Sequence, residues 1–279
     1  MIGGLVFMQT TGTILLNARG MNINGYDCFV NLSKNVYEFN SISRTPAIGT
    51  TATYDTNQTC PVPGKDQFFG VTSSGKLSPT CLYMKNWGYV MYFYFNSVTS
   101  STTVSTLSAW IKVNPYHTTN PSSNAWSTGG PGLELLCHRN AHILIRGYRN
   151  EVSYLTGTTT NQISFTKDTS NWHHYLIESI GTRVLFFYDG TKIIDVNVTA
   201  PSYNQPFGIS TWDKDVFVDD LVMVKDQALV TSNFTVPSTY ILDSEYALDP
   251  NKVKYRRNIV AANVDKKLII PDEDVLKQY

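Results

Sequence analysis

The 279-residue chain is expected to fold as an all-β antiparallel sandwich, and three observations predict it. The first is composition. Charged residues make up 16% of the chain, well under the usual quarter, and Thr, Ser, Asn and Tyr fill the gap. Thr and Tyr suit strands, while Ser and Asn suit turns. The second is a hairpin signature in which RVLFFY and TKIIDVNV flank Asp189-Gly190, the pair that fits a two-residue type I′ turn. The third is Val216 to Val224, which is apolar on both alternating faces, one set being Val216, Val218, Val222 and Val224 and the other Phe217, Leu221 and Met223. Such a strand belongs between two covered layers.

Taken in order, the pattern predicts β-like pieces at Gly4 to Met8, Thr13 to Asn17 and Tyr26 to Leu32, with Asn24-Gly25 as a turn between the last two. Ile48 to Ser78 is rich in Thr, Gly and Pro and reads as loop with room for an edge strand. Leu82 to Met84 and Gly88 to Phe95 are aromatic-rich strands. In Thr106 to Val113, Leu107, Ala109, Ile111 and Val113 share one face. Asn114 to Gly132 is a long exposed loop. Leu133 to Cys137, His142 to Arg146 and Asn161 to Thr166 follow as strands. Apolar spacing of three and four is not sustained, so no long helix is expected.

The organisation expected from this pattern is a β-rich N-terminal extension over 1–48 that serves for docking, a sandwich over 49–237, and an extended C-terminal arm over 238–279. The arm is polar and ends in PDEDVLKQY, so it must lie on its own domain or on another subunit to be ordered. Its apolar anchors would be Tyr240, Ile241, Leu242, Tyr246, Leu248 and Leu268-Ile269-Ile270. The ends are expected to make inter-subunit contacts in a homo-oligomer.

Net charge is +0, which gives no electrostatic case for nucleic acid. The one basic cluster, Lys252, Lys254, Arg256 and Arg257, reads as a solvated or docking segment. The longest apolar run, Tyr89 to Phe95, is too short for a membrane helix. The start, MIGGLVFMQTTGT, has no basic region of the secretory kind, so synthesis in cytoplasm without a signal peptide is expected. Cys28, Cys60, Cys81 and Cys137 have no CxxC spacing; they are free thiols, or Cys60 and Cys81 form a disulfide across the Gly/Pro-rich stretch between them.

Four segments in order resemble the laminin G-like family of concanavalin A-like jelly rolls. They are TLSAWIKVNP at Thr106 to Pro115, SNWHHYLIE at Ser170 to Glu178, VLFFYDGTKI at Val184 to Ile193, and VFVDDLVMVKDQAL at Val216 to Leu229. The ending DQALVTSNFTVP is similar to versions of the domain in bacteriophage structural proteins. The resemblance covers about residues 81 to 237. It implies a virion structural protein (a tail-fibre, collar or capsid-surface component) that carries a lectin-like domain, contacts other virion proteins at the virion surface, and attaches to a host-surface glycan. The alternative is a cellular carbohydrate-binding or adhesion module.

A glycoside hydrolase is the less favoured alternative. Hydrolysis needs two carboxylates facing one another across a cleft. The chain has no E-x-D-x-E, and its triplet Asp272-Glu273-Asp274 points neighbours to opposite faces. No G-x-S-x-G, Walker loop or HExxH occurs. No enzyme activity, catalytic residue or cofactor is therefore expected.

Sugar sites combine exposed aromatics with polar side chains. The long loop supplies Tyr116, His117, Asn120, Asn124 and Trp126 as glycan-binding candidates. Some relatives by resemblance hold calcium at the sandwich rim, and Asp213 and Asp215 are the candidate ligands here, although two carboxylates make an incomplete set. Trp110, Trp172 and Tyr188 read as packing residues, and His173 and His174 as structural. Asp219 and Asp220 interrupt an apolar strand; a buried carboxylate must be hydrogen-bonded, so their expected role is to tie down a neighbouring loop through backbone N–H groups.

Overall fold

A computed structural model describes residues 8, 10–23, 26–32, 39–46, 69–84, 89–95, 103–113, 132–137, 141–146, 151–156, 159–166, 168, 171–199, 207–212, 216–242 and 259–262. Among these, every regular element is a strand. They are β1 (Thr13–Ile23), β2 (Tyr26–Asn31), β3 (Phe39–Pro46), β4 (Phe69–Ser73), β5 (Thr80–Met84), β6 (Tyr89–Phe95), β7 (Val104–Val113), β8 (Gly132–Cys137) and β9 (Ala141–Arg146). The remainder are β10 (Glu151–Thr156), β11 (Thr159–Ser164), β12 (His173–Ile180), β13 (Arg183–Tyr188), β14 (Thr191–Asn197), β15 (Phe207–Trp212), β16 (Val216–Lys225) and β17 (Ile259–Ala262).

The described strands make two antiparallel sheets. The larger runs β14-β13-β12-β7-β16-β1-β2-β17, with β5 also on β16 and β4 on β5; the smaller runs β11-β10-β9-β8-β15-β6-β3. The expected sandwich is what forms. Its core lies between the sheets, where Leu107, Ala109, Ile111 and Val113 of β7 and Tyr175 and Ile177 of β12 meet Leu133, Leu135, Ile143, Ile145, Phe207 and Ile209 of the smaller sheet. The predicted β13–β14 hairpin is present. Asp189 has φ 48° and Gly190 φ 77°, the two left-handed positions that a type I′ turn requires.

The division expected at residue 48 runs through the sheets. β1 pairs with β16 and β2, and β3 pairs with β6. Leu15, Leu16, Ala18 and Phe29 belong to the main core. The docking reading rested on a sandwich needing fewer residues than the chain has. Instead the extra length widens the sheets.

In β16 the two expected faces are reshuffled by a bulge. Opposite Trp110 and Ser108 of β7 stand Asp219 and Val222, so β16 carries one extra residue, and Asp220 takes φ 47° to accommodate it. Val216 and Val218 therefore share the inner face with Leu221 and Met223, while Val222 and Val224 face outward. At the same place β16 changes neighbours: Val216 to Val218 pair with β5, and Leu221 to Lys225 pair with β1.

That outward face is covered. After β16 the chain returns across the sheet as an irregular strap, residues 226–242. Ile241 and Leu242 are buried with Leu176, Leu185, Phe187, Val222 and Val224, and Met8, Leu229, Val230 and Phe234 pack around them. Met8 N–H donates to the Ile241 carbonyl at 2.8 Å. Ile241 and Leu242 thus anchor on their own domain, one of the two placements expected, because the outer face of the sheet is as apolar as a core. From the same C-terminal arm, β17 pairs with β2. Tyr246, Leu248 and Leu268 to Ile270 lie outside the described residues, as do Gly4 to Phe7 and the basic cluster. Cys81 and Cys137 are buried free thiols; Cys60, the other half of the disulfide alternative, lies outside the described residues.

Candidate functional site

Among the described strands, five of the eight connections between sheets start and finish at one end of the sandwich, and three, 32–38, 96–103 and 198–206, at the other. His173 pairs with Ile111, Val113 with Val216, and Val216 with Met84. In the smaller sheet Gly132 pairs with both Trp212 and Arg146, and Tyr89 with Thr211 and Pro46. The segments 47–68, 85–88, 114–131, 165–172 and 213–215 therefore all cross between sheets at this end. The hairpin turn at Asp189 and Gly190 is there too.

The proposed glycan residues Tyr116, His117, Asn120, Asn124 and Trp126 lie outside the described residues, on the segment that leaves β7 at Val113 and rejoins the fold at Gly132. Asp213 and Asp215, the calcium candidates, also lie outside them, between Trp212 and Val216. The strand ends that flank the two segments, Val113 and Gly132 for one and Trp212 and Val216 for the other, lie at the same end. Among the described residues, no three His, Cys, Asp or Glu side chains form a metal-binding group.

The described part of this end is held by an imidazole between two carboxylates. His173 Nδ1 is 2.6 Å from Asp189 Oδ2, and its Nε2 is 3.7 Å from Asp168 Oδ2. Asp189 Oδ1 accepts the His174 N–H at 2.8 Å. Asn171 Nδ2 donates to Asp168 Oδ2 at 2.6 Å, and the Tyr188 hydroxyl donates to the Asp168 carbonyl at 3.2 Å. The Tyr188 ring stacks on His173 at 4.8 Å. The cluster fastens the β11–β12 connection to the hairpin turn, in line with the structural role expected for these residues. His174 is wholly buried, with Nε2 2.9 Å from Ser108 Oγ. Burial lowers its pKa to about 4 and keeps it neutral.

Three buried acids hold segments against the outer face. Asp219 Oδ2 accepts the Leu77 and Ser78 N–H groups at 2.7 and 2.9 Å, and its Oδ1 accepts Ser78 Oγ at 2.9 Å. This is the loop-tying role expected of it. Asp220 Oδ2 accepts the Ile241 N–H at 2.8 Å and its Oδ1 is 3.5 Å from Arg19 Nε. Arg19 also donates to the Leu242 carbonyl and lies 3.7 Å over the Tyr240 ring. Burial raises Asp220 to about 7 against the opposing pull of the guanidinium.

Glu178 Oε1 accepts Leu229 and Val230 N–H at 2.9 and 3.1 Å, while Thr106 Oγ1 is 2.5 Å from Oε2. Burial raises its pKa to about 8. The geometry accommodates the neutral acid: Oε2–H donates to Thr106 Oγ1, whose own hydrogen goes to the Gln227 carbonyl 3.3 Å away. Sequence reasoning did not single out Glu178 or Arg19. The available signal was a lone charge inside an apolar strand, as in YLIESI and LLNARGM.

The Glu178 shift has a pH signature. Between about 4.5 and 8 the folded chain holds a proton that the unfolded chain has released, so stability is lost as pH rises through that window. His174 acts oppositely, its stability being lost as pH falls from 6.5 toward 4. In Glu178→Gln the amide reproduces every bond of the neutral acid. Thermal melts should show this variant more stable than the parent at pH 8 and equal to it near pH 4. A parent-like slope in the variant would assign the titration elsewhere.

No family model matches the chain, and no curated protein matches it. Solved structures do match. The binding domain of botulinum neurotoxin DC in complex with SialylT is similar at 11% identity and a TM-score of 0.42, over 76% of this chain and 47% of that one. A carbohydrate-binding module, CBM66 from Bacillus subtilis, is similar at 12% identity and 0.36, over 57% and 97%. Alginate lyase AlyC3 is similar at 11% identity and 0.44, over 68% and 91%. The chain spans about half the length of the toxin domain it matches. The strands themselves define the class, an all-β antiparallel sandwich of the jelly-roll kind, and at these identities no particular family follows.

Proposed function

We propose that this chain is a non-enzymatic glycan-binding sandwich displayed on a bacteriophage particle, with recognition at the end of the sandwich that holds Val113 and Gly132. The observation that carries the binding site is topological. Loop 114–131, with its Tyr116, His117, Asn120, Asn124 and Trp126, runs from Val113 to Gly132, strand ends that share one end of the sandwich with those of four further crossovers. Rigid strands presenting a cluster of connections are the usual platform for recognition. The particle assignment rests on the resemblance of the four ordered segments and of the ending DQALVTSNFTVP to domains of phage structural proteins.

A binding role over hydrolysis is supported by how the described buried acids are used. Glu178, Asp219 and Asp220 each accept backbone N–H groups, and they do not face one another across an open cleft.

Trp126→Ala is expected to leave the melting temperature unchanged and to reduce binding to host-envelope polysaccharide at least tenfold. A loss of several degrees in melting temperature with binding intact would make Trp126 a packing residue, since an aromatic truncated in a core costs about 3–5 kcal/mol.

A further inference from the structure

The strap covers only part of the outer face of the larger sheet. Beyond Phe234, which meets His174 edge-on at 6.0 Å, the face remains partly open. Register places its side chains together. Phe217 stands opposite Tyr83 on β5 and opposite Lys112 on β7. Trp110 is two residues from Lys112 on the same face, opposite Asp219. Tyr83 and Phe217 stack at 5.2 Å, and Lys76 Nζ stands 4.8 Å over the Trp110 ring. Tyr83, Trp110, Lys112 and Phe217 are half-buried and Lys76 is exposed. Trp110, expected from sequence to be core packing, is thus on the outside of the sheet.

We infer that this face is a binding surface for an acidic sugar. The inference rests on the glycan-binding reading and adds the ligand's charge and a second set of residues. Stacked rings offer the apolar surface on which a pyranose face lies. Two ammonium groups flank those rings. The carboxylate opposite Trp110, Asp219, is buried and taken up by the Leu77 and Ser78 donors, so it does not neutralise them at the surface. Lys76 is already placed over an indole, which limits the freedom it would lose on meeting an anion.

The test uses the full chain and three probes: oligogalacturonate, the same oligomer with its carboxylates reduced to alcohols, and a sulfated dextran oligomer. Lys76→Gln/Lys112→Gln removes charge at accessible positions and leaves the core untouched. The expected result is at least tenfold tighter binding of an anionic oligomer than of the reduced one, a tenfold loss in the double variant, and no loss for the reduced oligomer. Preference between carboxylate and sulfate names the acidic group. If the double variant binds as the parent does while Trp126→Ala abolishes binding, the loop reading stands and this inference fails. If the parent binds none of the three and also fails on host-envelope polysaccharide, both fail.

Discussion

Replacing Arg19 with methionine is expected to cost about 3–5 kcal/mol, the range for removing one partner of a buried ion pair. Arg19 is 1% exposed in the middle of β1. Its guanidinium faces Asp220 at 3.5 Å, donates to the Leu242 carbonyl and lies over Tyr240. Methionine fills the volume but leaves that carbonyl without its donor and removes the cation from beside a buried carboxyl. Asp220 already sits near pKa 7, so without Arg19 it stays protonated at neutral pH, which limits the damage. At about 2–4 °C per kcal/mol, the melting temperature should fall by roughly 6–20 °C. Arg19→Met/Asp220→Asn should recover part of the loss, because the amide keeps the bond to Ile241 N–H and carries no charge. A double variant no more stable than the single one would mean that the Leu242 carbonyl and the Tyr240 ring, and not the charge pair, account for the effect.

Gly190→Val is expected to be comparably severe, although the residue lies in a two-residue turn. Two costs add. A β-branched residue at φ 77° is strained by about 1–3 kcal/mol. A Cβ there would also lie 2.0 Å from the Phe234 carbonyl oxygen, so the strap must move, at about 1–3 kcal/mol more. Movement breaks the Phe234 N–H bond to the Gly190 carbonyl and disturbs the Lys192 N–H bond to Asn233. Amide exchange at Phe234 and Lys192 should accelerate more than exchange in β7, which lies away from the turn. Uniform acceleration would show that the hairpin and strap do not open separately from the domain.

The hairpin, β7 and the doubly apolar β16 were legible because each carries its structural cause in adjacent residues. A DG pair demands left-handed φ, and period-two alternation demands one buried face. Other features depend on partners far away in the chain. β3 (FNSISRTP) and β15 (FGISTW) are polar or glycine-containing and are held by their neighbours, β6 for the first and β6 and β8 for the second. In β16, strict alternation assigned Val222 and Val224 to the face of Val216, because nothing local reveals that Asp220 is an extra residue. The strap has no periodicity of its own. Its conformation is set by acceptors on other strands, Glu178 and Asp220. Of the candidate site, the loop could be read from composition. The face formed by Lys76, Tyr83, Trp110, Lys112 and Phe217 could not, since it draws on four separate segments that only the register of β5, β16 and β7 unites.

The place of β1 has a consequence for how the protein is made. Thr13 pairs with Lys225, so β1 waits for a strand made much later than itself. At about 5–20 residues per second, the ribosome takes roughly 10–40 s to deliver β16 after β1 has emerged. During that time β1 has β2 as its sole hydrogen-bonded neighbour among its described sheet partners, through a hairpin too small to be stable alone. The larger sheet therefore closes late in synthesis, and the nascent chain carries an apolar strand that a chaperone or a neighbouring nascent copy could capture.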